Sequence, residues 1–249
     1  ILARTLGIPA IVALGEELSQ AVCTGTQLVL DGLEGKLILH PTAETVTSYR
    51  NKQERYQKHM TQVLGSAFQP ARTASGRRVE VSANIGDISS AQDAVAYGAE
   101  GVGLLRTEFL YLDETQPPSE EKQLRIYREI FAVMGQCPVI VRTLDIGGDK
   151  PPAYLPFPEE MNPFLGWRAI RISLDLPEMF IVQLRAILRA AEGYQARIMF
   201  PMVSSLDELR QARQIVEQVK AQLEAESLPY AREVPVGIMV ETPAPAMLV

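Results

Sequence analysis

Three short apolar runs in this chain each end abruptly in charge, and that recurrence constrains the fold more than any other feature. Val102, Leu104 and Leu105 lead into Arg106 and Glu108. Val139, Ile140 and Val141 lead into Arg142, Asp145, Asp149 and Lys150, and Val236, Ile238, Met239 and Val240 lead into Glu241. The run after Cys137-Pro138 is β-branched throughout and reads as a strand buried on both faces. Between the runs lie segments of helical spacing: Ser89 to Tyr97, Ser119 to Met134 with Leu124, Tyr127, Ile130, Phe131 and Met134 on one face, Gly166 to Leu174, and Pro177 to Glu192. Ser205 and Glu208 form a capping box for a further helix carrying Leu209, Ala212, Val216, Val219 and Leu223. Val79 to Ile85 and Arg197 to Met202 supply two more strands. This alternation predicts an α/β fold of about five parallel strands with helical crossovers, a barrel without its closing half. Parallel strands deliver their carboxyl ends to one rim, so Arg106, Arg142 and Glu241 are expected to face a shared cleft.

Arginine suits an anion there, because its planar fork binds phosphate or carboxylate in bidentate fashion and stays charged at any relevant pH. The structural alternative pairs each arginine with its neighbouring acid, Arg106 with Glu108 and Arg142 with Asp145. Arg168, in NPFLGWRAIR, is a third candidate anion ligand, with Trp167 as the packing anchor beside it. Lys150 is a fourth cation, read as solvated, and Gly147-Gly148 lets the backbone turn and approach a ligand closely. Glu241 is either a charge partner for the arginines or a ligand for a hard cation such as magnesium. His40 and His59 have no partnered environment that singles out a nucleophile.

Before residue 79 the pattern changes. Ile1 to Leu6 has the spacing of a helix end, Ala10 to Leu14 reads as a short strand, and Leu28 to Leu30 with Leu37 to Leu39 form a hairpin about the turn at Asp31 to Gly35. Thr42 to Gly65 is one amphipathic helix, with Val46, Tyr49, Tyr56, Met60 and Val63 at helical spacing, and Gln69 to Arg78 is a linker. Domain bounds of 1–40, 41–78 and 79–249 follow. The formal net charge of -6 argues against nucleic acid or an anionic membrane as a general partner. No apolar run is long enough to span a bilayer. Cys23 and Cys137 fit no metal or redox spacing and read as buried free thiols, in keeping with the cytoplasm. Ile1 is not a methionine and Val249 follows closely on Glu241, so a piece of a longer chain is expected.

The stretches LLRTEFLY, VRTLDIGGDKPP, NPFLGWRAIRIS, MFPMV and GIMVETPA, in this order, resemble enzyme I of the bacterial sugar phosphotransferase system. ILARTLGIPAIVAL and TGTQLVLDGLEGKLILHP resemble the end of its phosphohistidine domain. The resemblance implies the end of a swivelling phosphohistidine domain, a connector helix, and the first part of a phosphoenolpyruvate-binding (β/α)8 barrel. It implies that Arg106 and Arg142, with Arg168, bind phosphoenolpyruvate and that Glu241 binds magnesium. It further implies phosphoryl transfer to a histidine and on to the carrier protein HPr, in a homodimeric parent. The family's phosphorylated histidine stands just before the ILAR stretch, and its proton-donor cysteine and second magnesium carboxylate belong to later strands. No catalytic residue of the family is therefore matched, and the chain alone is expected not to phosphorylate itself. Sibling dikinases and phosphoenolpyruvate synthases share the scheme but differ within RTLDIGGDK and GWRAIR. A non-catalytic assembly or regulatory module is the reading from another class, and charge converging on one rim speaks against it.

Overall fold

The computed structural model describes residues 8–15, 18, 22–112, 114–147, 152, 154–155, 161–163 and 165–248. The chain divides into two compact units, Ile1–Ser66 and Ala67–Val249. The helix expected over Ile1 to Leu6, and Gly148, Asp149 and Lys150 of the glycine loop, lie outside the described residues.

The first unit holds a hairpin and a helix. Strands β1 (Leu28–Asp31) and β2 (Lys36–Leu39) pair antiparallel from Leu28 with Leu39 to Asp31 with Lys36. Asp31 makes the turn: its Oδ1 accepts from the backbone N–H groups of Leu33 and Glu34, both at 3.0 Å, an aspartate closing its own turn. Helix α1 (Ala43–Gly65) starts at Thr42, whose side chain accepts from the Thr45 N–H, and none of its residues is buried. The strand expected over Ala10 to Leu14 does not form; Ala13 has φ 61, which extended backbone does not allow. Cys23 is exposed and Cys137 half-buried, so the expectation of two buried thiols fails, at Cys23 because it sits in a surface turn with its N–H on Thr26 Oγ1.

Lys52 of α1 reaches the turn and donates to Asp31 Oδ2 at 2.6 Å. This contact, before the turn N–H groups, holds the Asp31 carboxyl below its ordinary range. A depressed carboxyl stabilises the fold above its unfolded pKa, and that contribution is lost as pH falls through the folded value. In Lys52→Met the Asp31 titration midpoint, followed by carboxyl NMR, is expected to rise; an unchanged midpoint would show that the turn N–H groups alone set it.

In the second unit, short strands β3 (Ala71–Arg72) and β4 (Arg78–Val79) pair antiparallel inside the stretch read as a linker. The single strand expected over Val79 to Ile85 is thus two, because the chain leaves β4 after Val79 and enters the main sheet as β5 (Ser82–Ile85). That sheet is wholly parallel and follows chain order: β5, β6 (Gly101–Arg106), β7 (Val139–Arg142), β8 (Ala196–Phe200) and β9 (Val236–Ile238). The crossovers carry α2 (Ile88–Ala96), the short α3 (Phe109–Leu112), α4 (Glu120–Met134), α5 (Ile170–Asp175), α6 (Pro177–Ala190) and α7 (Leu206–Ala225), and α8 (Pro243–Leu248) follows β9. Right-handed crossovers between neighbouring strands, taken in order, return each helix to the same face, and α2, α4, α6 and α7 pack side by side in that sequence.

Strand alternation buries Val139, Val141, Ile198 and Phe200 against Phe131, Leu184 and Ile187 of the helices. Each such side chain contributes about 1.5–3 kcal/mol on leaving water. Ile140 and Met199 on the opposite face are only half-buried and Arg197 is exposed, so β7 is not covered on both faces as its β-branched run suggests. Ser119 caps α4, and Ser205 with Glu208 forms the capping box of α7 that the spacing of those two predicts. Among the described residues no helix is long and apolar enough to cross a membrane.

Candidate functional site

The carboxyl edge of the sheet collects the charges. Arg106 and Arg142 are Cα partners across β6 and β7, and a bulge sets that register. Val102 pairs with Val139 but Leu105 with Val141, so β6 carries one extra residue at Gly103-Leu104. Without it Arg106 would stand level with Thr143, and a one-residue slip turns a side chain to the other face. Glycine inside the GVGLLR strand is the sequence signal for such a bulge.

Beyond β7 the chain runs on without regular secondary structure. Leu144 and Ile146 are buried with Tyr111 and Ile172 in a second small core, to which Trp167 adds its ring. That places Asp145 between two arginines: its Oδ2 meets Arg142 Nη1 at 2.9 Å and its Oδ1 meets Arg168 Nη2 at 2.6 Å. Arg142 also pairs with Glu108. Arg168 comes this close because Gly147 opposite it has no side chain, and because the Ala169 N–H donates to Ile146 O at 3.0 Å. A Cβ on Gly147 would lie 2.4 Å from Arg168 Cβ. Ala169 itself sits at φ 53 and ψ -123, a strained conformation for a residue with a side chain. Trp167 packs as an anchor, its indole N–H on Asp175 Oδ2 at 2.7 Å.

The pairing differs from the simple structural alternative. Arg142 and Asp145 do bridge, but Glu108 takes Arg142 and not Arg106. Arg106 is exposed and lies over the Phe109 ring, 5.2 Å from its centre. Glu241, three residues past β9, is exposed and held by one oxygen: Oε1 accepts from the Met202 N–H at 2.7 Å. Met202 adopts φ 55 to present that N–H. Arg142 Nη1 stands 3.7 Å from Met239 Sδ, which brings the β7 and β9 ends together on this edge.

Four buried side-chain atoms lack a hydrogen-bond partner among the described residues: Glu108 Oε2, Arg142 Nε, Thr143 Oγ1 and Arg168 Nε. All four belong to this edge. Buried polar atoms are nearly always satisfied, so four such atoms on one edge set it apart from the rest of the described core. Burial raises the Glu108 carboxyl above its ordinary value against the pull of Arg142, and the nearby Asp145 adds to the rise. A raised carboxyl binds more protons folded than unfolded, so this group favours the fold at low pH and loses that contribution as pH rises through its folded pKa.

Sequence reasoning passed over the buried layer beneath the edge. Thr107, Gln123 and Gln183 are buried, and Gln183 Oε1 accepts from the Leu144 N–H at 2.9 Å while its Nε2 donates to Thr107 Oγ1 at 3.1 Å. The available signal was a glutamine on each apolar helix stripe, Gln123 one turn before Tyr127 and Gln183 beside Leu184. No group of three or more His, Cys, Asp or Glu that would enclose a metal occurs among the described residues. The donor set present fits a cation that takes one carboxylate and finds its other ligands in water and substrate, the habit of magnesium.

These features define a class: a parallel α/β protein whose carboxyl edge gathers guanidinium and carboxylate groups. The family described as PEP-utilising enzyme, PEP-binding domain, matches residues 61–249, and the chain belongs to that family. Among similar proteins, the phosphoenolpyruvate-protein phosphotransferase of Geobacillus stearothermophilus is 44% identical over 248 residues, covering 100% of this chain and 43% of that protein. The proteins of the same name from Staphylococcus carnosus (43% over 248 residues) and Haemophilus influenzae (41% over 247) cover 100% and 99% of this chain and 43% of their own lengths. The chain thus spans less than half the length of these curated relatives.

Proposed function

We propose that this chain is the phosphoenolpyruvate-binding part of a phosphoenolpyruvate-protein phosphotransferase, which moves the phosphoryl group of phosphoenolpyruvate to a histidine nitrogen and on to HPr. The observation that carries the reading is the sheet edge on which Asp145 holds Arg142 and Arg168 together while a buried Nε of each lacks a partner. Phosphoenolpyruvate brings a phosphate and a carboxylate, and both anions suit the arginine fork. Arg142 and Arg168 are already paired, so the incoming anion exchanges places with an internal carboxylate. Glu108 is the one displaced, because it pairs with Arg142 alone whereas Asp145 bridges Arg142 and Arg168. Arg106, exposed at the same register, supplies a third positive charge.

In the transfer, the bond from phosphorus to the enol oxygen breaks as a nitrogen–phosphorus bond forms. Charge spreads over the phosphoryl oxygens, where fixed guanidinium groups stabilise it. Magnesium, when bound, neutralises further phosphate charge, and Glu241 is the residue that would hold it. In this reading residues 1–40 are the end of a swivelling phosphohistidine domain and the five strands are the first part of a (β/α)8 barrel. The parent is a cytoplasmic homodimer.

The test is a chimera in which this chain replaces the matching 248-residue stretch of the Geobacillus stearothermophilus relative. Phosphoryl transfer from phosphoenolpyruvate to HPr is expected to persist. A folded chimera that neither binds phosphoenolpyruvate nor labels HPr would overturn the reading.

A further inference from the structure

We infer that Thr107, together with Gln183, is a positioning residue for the anion-binding arginines, acting through a buried hydrogen-bond relay. The Thr107 hydroxyl donates to Arg142 O at 2.9 Å and accepts from Gln183 Nε2 at 3.1 Å. One side chain therefore fixes the strand end that carries Arg142 from the residue that follows Arg106. Gln183 extends the hold to the loop beyond, since its Oε1 accepts from the Leu144 N–H at 2.9 Å, next to Asp145. The far end is anchored as well. Gln183 Nε2 also donates to Tyr127 OH at 3.3 Å, and Tyr127 OH and Tyr111 OH both donate to Gln123 Oε1, at 3.2 and 3.1 Å. Gln123 Nε2 closes the chain on Pro118 O at 2.9 Å.

Thr107, Gln123, Gln183, Tyr111 and Tyr127 are each at most 1% exposed, so no water replaces a lost partner cheaply. A fully satisfied buried network specifies one arrangement of the groups attached to it. Here those groups are the ends of β6 and β7, where Arg106, Glu108, Arg142 and Asp145 stand. The packing of the helices alone would be met by apolar side chains of the same volume; the hydroxyl and the two amides are needed to fix the loops.

The inference rests on the functional reading above, and the experiment separates the two. The purified chain is titrated with phosphoenolpyruvate and followed by NMR of backbone amides and of the arginine Nε–H groups. Thr107→Val keeps the shape and removes the hydroxyl, and it is expected to weaken binding about tenfold. Thr107→Ser restores the hydroxyl and is expected to bind within about twofold of the wild type. Val219→Ala on α7 removes core volume away from the relay and is expected to leave affinity unchanged. If Thr107→Val does not fold, Thr107→Cys, with its weak donor, takes its place with the same direction expected.

Equal affinity in Thr107→Val and the wild type overturns the inference, and so does a loss that Thr107→Ser fails to rescue. A wild type that shows no saturable binding sinks the functional reading instead. The Arg142 Nε–H signal then decides the inference alone: displaced or broadened in Thr107→Val and retained in Thr107→Ser supports it, and unchanged in both refutes it.

Discussion

Replacing Arg142 with alanine is expected to weaken phosphoenolpyruvate binding by about 100-fold, the range for removing one partner of a buried, hydrogen-bonded charge pair. The same change strands Glu108 and leaves Asp145 with Arg168 alone. Glu108 and Asp145 both pair with Arg142, and their side chains are 13% and 6% exposed. Taking away their shared cation leaves buried charge uncompensated, which costs about 3–5 kcal/mol of stability. Arg142→Lys should fall between, since an ammonium keeps the charge and loses the fork that reaches Glu108 and Asp145 together. His59→Ala, on an exposed stretch of α1, should change neither quantity. Ligand titration and urea unfolding on the three variants check the ranking, and equal effects of Arg142→Ala and His59→Ala would refute it.

Gly147→Ala is the second large effect. Gly147 has φ 125, where a side chain is strained, and the added Cβ would lie 2.4 Å from Arg168 Cβ and 3.1 Å from Arg168 Cα. The backbone strain alone costs about 1–3 kcal/mol. Relief requires Arg168 to retreat, which opens its 2.6 Å contact with Asp145 and withdraws one guanidinium from the edge. Weaker phosphoenolpyruvate binding together with a lower urea midpoint is expected. Binding unchanged alongside a lower midpoint would mean that Arg168 is not part of the site.

The parallel order of the strands was legible because β-branched runs and helical stripes alternate with capping signals between them, and Ser119, Ser205 and Glu208 mark helix starts by simple hydrogen-bond chemistry. The alignment of Arg106 with Arg142 was legible only from where each run ends. What aligns them is the bulge at Gly103-Leu104, a tertiary feature that a lone glycine merely hints at. Pairing across the edge was less readable. Glu108 follows Arg106 by two residues yet meets Arg142, because adjacency in a parallel sheet joins residues some thirty positions apart. The buried glutamines were missed because a polar residue on an apolar stripe reads as noise until its partners are known. Ala10 to Leu14 failed for the opposite reason: a favourable composition says nothing of a left-handed residue at Ala13.

The most direct measurement is a crystal structure of this chain grown with phosphoenolpyruvate and magnesium. Density for phosphate and carboxylate is expected within hydrogen-bond distance of the Arg142 and Arg168 guanidinium groups, with Glu108 displaced from Arg142 and Arg106 turned inward. Ligand bound elsewhere on a chain whose Arg142–Glu108 pair stays closed would contradict the account.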